Sequence, residues 1–514
     1  MFLFLVCLLL FITAIVLVVL RVFQPEARYA WLVAAGGAVA AFVVVIVWVG
    51  LIPFEAILPA WQPQTLFPTP IMFRVDGAAW ALSTSITAVT VAILLTAVTR
   101  PVYGNTLSWA GTLMLGSVGV LSAVSNNPLT LLLMWAFLDL AEFFTQISSV
   151  EGARNNERVV ISFATRVAGS SFLLWSYIEG FSGGITGTFQ SLPPNTSIYL
   201  VIAAGLRLGV LPLHLGYDPE SFLRRGFGTA LRLIGAASTL SVLTHHPLTA
   251  LSWTPLVMIL VGIAAVYGGW MWLRAPDELT GRPYWMIGIA ALSVLSALGG
   301  NPIGAAAWAC VLILTGGVLF LSSVRTVRIN RALLIGVWSI SSLPFSLTAT
   351  AWNGNTGLAI PFAIATQAAM GAGFIRFALR TSGSESLDDS PAWAKAVYPA
   401  GIGLLLAVQV LLGIFGWEGA LQIGNWIQAL PASILILGLV WAVRRFRIFS
   451  PTRVHWVGSA GSSVNNIYQG LWAVYRGLAR LAQTINKSLE GEGGIMWTLL
   501  FLVFFILVIA GGMR

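Results

Sequence analysis

Two acids and three arginines stand in this sequence where a chain of apolar runs can least accommodate them. The stretch "LTLLLMWAFLDLAEFFTQI" carries Asp139 and Glu142 at i and i+3, on one face of a helix. Arg166, Arg207 and Arg232 each fall inside one of the three apolar runs that follow. His214 comes two residues after Pro212, and His245 with His246 closes the last of those runs. An ionisable side chain at mid-bilayer costs at least about 2.5–3.5 kcal/mol on insertion scales, so each of these residues points to function. Two acids against three arginines on neighbouring helices are expected to pair. Two chemistries fit such a set. One is a hydrated charge relay in which protons move through Asp139, Glu142, His214 and water. The other is a static ion-pair network that ties four helices together. A guanidinium keeps its proton where a buried lysine can lose one, so the three arginines can set a field or a scaffold as well as they can serve a relay.

The elements that carry these residues are membrane spans. The chain has 514 residues, of which 58% are hydrophobic and 9% charged, with a mean hydropathy of +0.88. Soluble domains carry roughly 25% charged residues, so the composition predicts an all-α, multi-pass integral membrane protein. Sixteen runs read as helices: 1–22, 29–52, 77–98, 106–124, 127–147, 157–180, 197–213, 228–246, 253–273, 284–300, 302–322, 332–351, 357–380, 394–416, 424–443 and 495–512. The formal charge of +9 comes from arginines in the short loops between the runs. These follow odd-numbered helices, as Arg100, Arg154, Arg158, Arg224, Arg225, Arg325 and Arg445 illustrate, with Arg74 the exception. That is the positive-inside pattern and excludes a nucleic-acid reading. It places the odd loops in the cytoplasm and both termini on the other side of a bacterial inner membrane. The first segment has neither a basic n-region nor a small-residue cleavage site and reads as a retained helix. Cys7 and Cys310 lie inside apolar runs and support neither a disulfide nor a metal site.

Three further features shape the reading. From Ser462 to Glu490, apolar residues recur at helical spacing among Arg476, Arg480 and Lys487, which predicts a basic amphipathic helix on the cytoplasmic membrane surface or against a neighbouring subunit; a solvated linker helix is the alternative. "VLPLHL" (210–215) and "SLPFSL" (342–347) place Pro212 and Pro344 as breaks in helices seven and twelve, five helices apart. Paired proline-interrupted helices in inverted repeats are a transporter signature. Finally, no Asp, Glu, His, Lys or Arg occurs from Pro283 to Val324 or from Ala332 to Ile375. A proton path there would need water held by neutral side chains.

The motifs resemble the antiporter-like membrane subunits of respiratory complex I, Mrp antiporters and membrane-bound hydrogenases. "RLGVLPLH" (207–214) is similar to that family's Lys-x-Pro-x-x-Pro-Leu-His motif, and "FRVDGAAWAL" (73–82) to the start of its third helix. "GTALRLIGAASTLSVL" (228–243), "LILTGGVLFLSS" (312–323) and "SLPFS" (342–346) follow in the family's order, so the similarity runs from about residue 70 to 380. The resemblance implies 14–16 transmembrane helices with two inverted five-helix repeats: 1–105 with helices one to three, repeats over 106–246 and 247–380, further spans over 381–450, the amphipathic segment over 451–494 and a last span over 495–514. It also implies a multi-subunit complex of the NADH:quinone oxidoreductase or hydrogenase type, with other membrane subunits and lipids as partners. Redox chemistry and cofactors would then belong to the other subunits. Carried over, the relay lysine of helix seven falls on Arg207 and the basic residue of helix eight on Arg232. The helix-five glutamate falls on Ala136, with Asp139 one turn later as its substitute. The helix-eleven lysine falls near Gly316, and the charged residue of helix twelve near Ala351 or Trp352. The implied site is therefore Asp139, Glu142, Arg166, Arg207, His214 and Arg232, with proton translocation and a non-pumping structural role both open. A standalone cation/proton antiporter or inorganic-carbon uptake subunit is a third possibility, against which the neutral second half argues.

Overall fold

A computed structural model of the chain describes residues 2–24, 29–58, 69–99, 106–149, 153–182, 187–215, 225–245, 252–324, 326–354, 357–380, 387, 391–416 and 423–446. The chain divides into two compact units, Met1–Arg445 and Phe446–Arg514, and of the second only Phe446 is described. The expected amphipathic helix from Ser462 and the last span from 495 both lie outside the described residues.

Fifteen of the sixteen expected helices have a counterpart. They are α1 (Phe2–Phe23), α2 (Ala30–Val47), α3 (Gly77–Thr96), α4 (Thr106–Ala123), α5 (Pro128–Ser149), α6 (Ala153–Ser182), α7 (Ser197–Leu208) and α8 (Phe227–Leu240). There follow α9 (Thr254–Arg274), α10 (Arg282–Leu298), α11 (Pro302–Leu321), α12 (Val327–Ile340), α13 (Ile360–Ala378), α14 (Ala392–Phe415) and α15 (Ile423–Phe446). Ten described helices are long and apolar enough to cross a membrane. Hydrocarbon offers no partner to a backbone N–H or C=O, so apolar runs of this length close their hydrogen bonds internally as helices. The abrupt "SNNP" and "GGNP" junctions work as caps. The side chains of Asn127 and Asn301 accept from the N–H groups of Thr130 (2.7 Å) and Gly304 (2.8 Å), and proline takes the first helical position in both.

One element was not expected. Strands β1 (Phe54–Ile57) and β2 (Met72–Val75) form an antiparallel hairpin that sets Glu55 opposite Arg74, with Nη1 to Oε1 at 3.2 Å. The exceptional arginine thus has a carboxylate opposite it.

Helices α3 and α11 lie at the centre, and α11 packs on α3, α8, α10, α12 and α14. Around them the pairing pattern of α4 to α8 returns in α9 to α13. The pairs α4–α8, α4–α5, α5–α6, α6–α7 and α5–α8 correspond to α9–α13, α9–α10, α10–α11, α11–α12 and α10–α13.

Two helices end earlier than the sequence suggests. α7 stops at Leu208, not at Pro212. Gly209 takes the left-handed conformation (φ 72°), and the N–H of Val210 returns to the carbonyl of Gly205 at 2.9 Å, a Schellman closure. Pro212 lies in the turn beyond. α12 stops at Ile340, and residues 341–354 continue as a run of turns, buried except around Leu343–Phe345 and Asn353–Gly354, with bonds such as Ser346 N–H to Leu343 O (3.0 Å) and Ala351 N–H to Thr348 O (3.0 Å). Pro344 lies in that run.

At the α9–α10 loop, Glu278 gathers several helix ends. It accepts from Arg225 ahead of α8 (2.9 Å) and from Arg380 after α13 (3.2 Å). Arg225 also donates to the carbonyl of Phe320 near the end of α11 at 2.7 Å, and Arg376 donates to Leu273 O and Ala275 O at the end of α9.

Candidate functional site

Helical spacing on α5 puts Trp135, Asp139, Glu142 and Gln146 on one buried face. Three other helices aim guanidinium groups at it: Arg166 from mid-α6, Arg207 from the last turn of α7 and Arg232 from α8. The five charged residues are between 2% and 4% exposed. Five of the six predicted site residues therefore meet in one cluster.

The cluster has two joined parts. In the first, Arg207 binds Asp139 through both terminal nitrogens, Nη1 to Oδ2 at 2.6 Å and Nη2 to Oδ1 at 2.8 Å. Its Nε donates to Thr239 Oγ1 (3.1 Å), and Nη1 also reaches Ser170 Oγ (3.0 Å). The guanidinium carbon sits 4.2 Å from the centre of the Trp135 ring, and the indole N–H is held by the carbonyl of Ser238 at 3.1 Å. A cation at a helix C-terminus also meets the favourable end of the helix dipole. In the second part, Glu142 Oε1 accepts from Arg232 Nη1 (2.7 Å) and Gln146 Nε2 (2.6 Å), while Oε2 accepts from Arg166 Nη1. Arg207 Nη1 to the backbone carbonyl of Arg166 (3.3 Å) joins the two parts. Gly169 makes room for this, since a Cβ there would come within 2.7 Å of Arg207 Cγ and 2.9 Å of the carbonyl of Ala203.

Both carboxylates thus have guanidinium partners on each of their oxygens. Adding a proton to either would leave a buried guanidinium short of its counter-charge, and breaking one side of such a pair costs about 3–5 kcal/mol. Two acids and three arginines leave one positive charge in excess inside the bundle.

The sixth predicted residue stands apart. His214 Nδ1 lies 2.9 Å from the carbonyl of Pro212, and none of the cluster's hydrogen bonds reaches it. Sequence reasoning missed five partners, Trp135, Gln146, Ser170, Thr239 and Ser162, the last of which accepts from Arg166 at i−4 through its carbonyl (3.2 Å) and its hydroxyl (3.3 Å). Gln146 was readable at i+4 from Glu142, and Trp135 at i−4 from Asp139. Ser170 and Thr239 become visible only once α6 and α8 are packed.

No family model matches the sequence, and no curated protein matches it. Solved structures do. Over 98% of its length the chain superposes on 99% of a chain of the membrane-bound sulfane sulfur reductase, an archaeal respiratory membrane complex, with a TM-score of 0.69 and 12% identity. The fold is one that chains of several membrane complexes share. A chain of the Mrp complex from Dietzia sp. DQ12-45-1b is matched over 100% of this chain with a TM-score of 0.68 and 15% identity. This chain spans 63% of the length of that Mrp chain. A chain of respiratory complex I from Thermus thermophilus is matched over 80% of this chain and 98% of its own length, with a TM-score of 0.58 and 18% identity.

Within this fold, the positions carried over by resemblance can be placed. Ala136 faces outward, whereas Asp139 faces the bundle, so the carboxylate has the inward place on α5. Gly316 faces the indole of Trp285, whose Nε1 would lie 2.7 Å from a Cβ at that position and donates to Leu312 O at 3.2 Å. An indole fills the space a lysine would need. Ala351 and Trp352 are buried in the turns after α12.

Proposed function

We propose that the chain is an antiporter-like membrane subunit of a complex I-like or hydrogenase-type assembly, in which the α5–α8 cluster is a fixed-charge scaffold and not a proton relay. The observation that carries this reading is the saturation of Asp139 and Glu142 by Arg207, Arg166 and Arg232. A relay group must change protonation as it works, and here each change would strand a buried guanidinium. Arginine itself holds its proton throughout the physiological range. The fixed excess charge in a low-dielectric bundle can still bias neighbouring subunits electrostatically.

The recurrence of the α4–α8 pairing pattern in α9–α13 supports two five-helix repeats, and the odd offset of five favours opposite orientations in the membrane. The arginine distribution favours cytoplasmic odd loops and non-cytoplasmic termini, in a membrane that we read as a bacterial inner membrane. Partners in this reading are other membrane subunits and lipids, and electron transfer with its cofactors belongs to those subunits. The neutral second half speaks against a standalone antiporter, which needs an ion path across the whole membrane.

The test is a paired replacement in the assembled complex. Asp139→Asn or Arg207→Met alone is expected to reduce assembly, while Asp139→Leu with Arg207→Met restores it, because a buried ion pair replaced as a unit is often tolerated. Proton uptake into proteoliposomes by the double variant is expected to match the wild type. Full assembly with lost proton uptake would overturn the fixed-charge reading.

A further inference from the structure

We propose that the run of turns after α12 is a water-binding pocket, enclosed by α11, α13 and α14, that accepts water and no ion. Its frame is one connected set of neutral side chains. Gln367 on α13 donates from Nε2 to Ile340 O (2.6 Å) and to Ser342 Oγ (3.0 Å). Ser342 Oγ donates to Thr348 Oγ1 (3.0 Å), whose hydroxyl donates to Ser339 O (2.9 Å). Ser339 Oγ lies 2.8 Å from Gln409 Oε1 on α14. Gln367 and Thr348 thereby satisfy carbonyls that the end of α12 leaves open. Ser342 stands in the left-handed region at φ 57°, which turns the chain into the pocket.

The hydrogen bonds of this frame do not close on themselves. Gln367 Oε1, Gln409 Nε2, Thr315 Oγ1 and Ser346 Oγ are buried and have no partner. All four residues have 0% exposure. Two close approaches set Thr315 against α12 and the backbone of Ser346 against α14, each within a helical turn of the frame in sequence. A Cβ at Gly336, one turn before Ile340, would meet Thr315 Cγ2 at 3.2 Å. A Cβ at Gly413, one turn after Gln409, would meet the carbonyl carbon of Ser346 at 3.0 Å. Buried polar groups in folded proteins find a partner in protein or in ordered water, and two of these, Gln367 Oε1 and Gln409 Nε2, belong to side chains of the frame itself.

The mixture of groups selects the guest. The carbonyl of Ile340 fixes the Gln367 carboxamide with its NH2 inward, so Oε1 is a bare acceptor. Gln409 presents an amide donor, and the hydroxyls of Thr315 and Ser346 can do either. A cation takes oxygen acceptors only, and an anion takes donors only. Water takes both. Charge agrees, because none of α11 to α14 carries an Asp or Glu to balance a cation. The end of α12 is therefore hydrated by a frame of neutral side chains that holds no titratable stop for a proton, which goes beyond the fixed-charge reading of the first half and stands independently of it.

The experiment is radiolytic footprinting of the assembled complex in heavy-oxygen water, together with electron cryo-microscopy at a resolution that shows waters. Radicals formed on a bound water label the side chains beside it. The probe is Phe374, whose ring abuts the same Gly336 position as the Thr315 methyl group. Phe374 is expected to take up heavy oxygen several-fold faster than the equally buried Phe320, with density bridging Gln367 and Gln409. Gln367→Leu with Gln409→Leu is expected to lower Phe374 labelling to the Phe320 level. An unlabelled Phe374 in the wild type, unchanged labelling in the double variant, or density bonded to acceptors only would overturn the proposal. If the double variant does not assemble, the wild-type labelling and density decide.

Discussion

Arg207 grips Asp139 with two parallel N–H donors, at 2.6 and 2.8 Å, while its guanidinium lies 4.2 Å from the centre of the Trp135 ring. Trp135 and Asp139 are one turn apart on α5, so a single helix face supplies both the counter-charge and the aromatic surface. This geometry needs a planar fork, which a lysine lacks. Arg207→Lys is expected to keep the charge and lose both the bidentate bond and the stacking. The complex should melt lower by an amount equivalent to about 1–3 kcal/mol, read as a shift in thermal unfolding in detergent. A wild-type melting point for Arg207→Lys would show that charge alone suffices.

The close approach at Gly169 gives a second prediction. Gly169→Ala places a methyl 2.7 Å from Arg207 Cγ and 2.9 Å from the carbonyl of Ala203, so α6 and α7 must separate. Overpacking of this kind costs about 1–3 kcal/mol. Gly36→Ala is the control, because nothing lies within 4 Å of a Cβ there. Thermal unfolding of the two variants should separate them, with only Gly169→Ala destabilised.

Glu278 binds Arg225 and Arg380, which belong to different five-helix groups. Glu278→Gln removes the charge from both bonds while keeping the shape. Arg380 is 43% exposed at its side chain, so solvent screens that arm and the effect rests mainly on Arg225. Faster limited proteolysis near the α9–α10 loop is expected, with no change in the α5–α8 cluster. Unchanged protection of the loop would show that the Arg376 contacts with α9 hold it alone.

The pH dependence should carry a signature of His245. It follows the end of α8, stacks on Phe189 with ring centres 5.7 Å apart, and has a buried Nε2 without a partner. Burial pushes its pKa below the ordinary 6.5; Arg74 adds to that, while Asp76 and the carbonyl of Ala123 oppose it. The unfolded chain then binds the proton more readily than the folded one. His245 contributes stability that is present above the unfolded value of about 6.5 and is lost as the pH falls below it. His245→Gln is expected to flatten this part of the stability–pH curve, measured by unfolding between pH 7.5 and about 5. An unchanged slope would assign it to other groups.

How much of this was legible in the sequence depends on the length scale of each feature. The spans were readable from apolar runs, and the i, i+3 spacing of Asp139 and Glu142 located the cluster. The end of α7 was misplaced because Pro212 draws attention, whereas the signal that terminates the helix is Gly209, a C-cap glycine three residues earlier. The hairpin at Phe54–Ile57 was hidden because four-residue strands leave almost no periodic pattern. Gln367 and Gln409 were passed over because a neutral residue in an apolar helix gives no charge signal. Their role depends on α12 ending between them, which only packing reveals.

The same packing gives the last prediction, about the lysine that the family resemblance would place near Gly316. A side chain at Gly316 would run into Trp285 Nε1 at 2.7 Å and Phe320 Cε2 at 3.2 Å. The Trp285 indole in turn packs on Trp272, Phe320 and Phe374. The absence of a lysine here and the filling of its space are thus one structural fact, and adding the charge alone cannot create a relay. Gly316→Lys is expected to destabilise the subunit by several kcal/mol, through overpacking and an unpaired buried charge. Adding Trp285→Ala should recover part of that loss by opening space for the lysine stem, while leaving the charge unpaired. The measurement is assembly yield and melting temperature of the single and double variants. If Gly316→Lys alone assembles normally, the indole does not close that site.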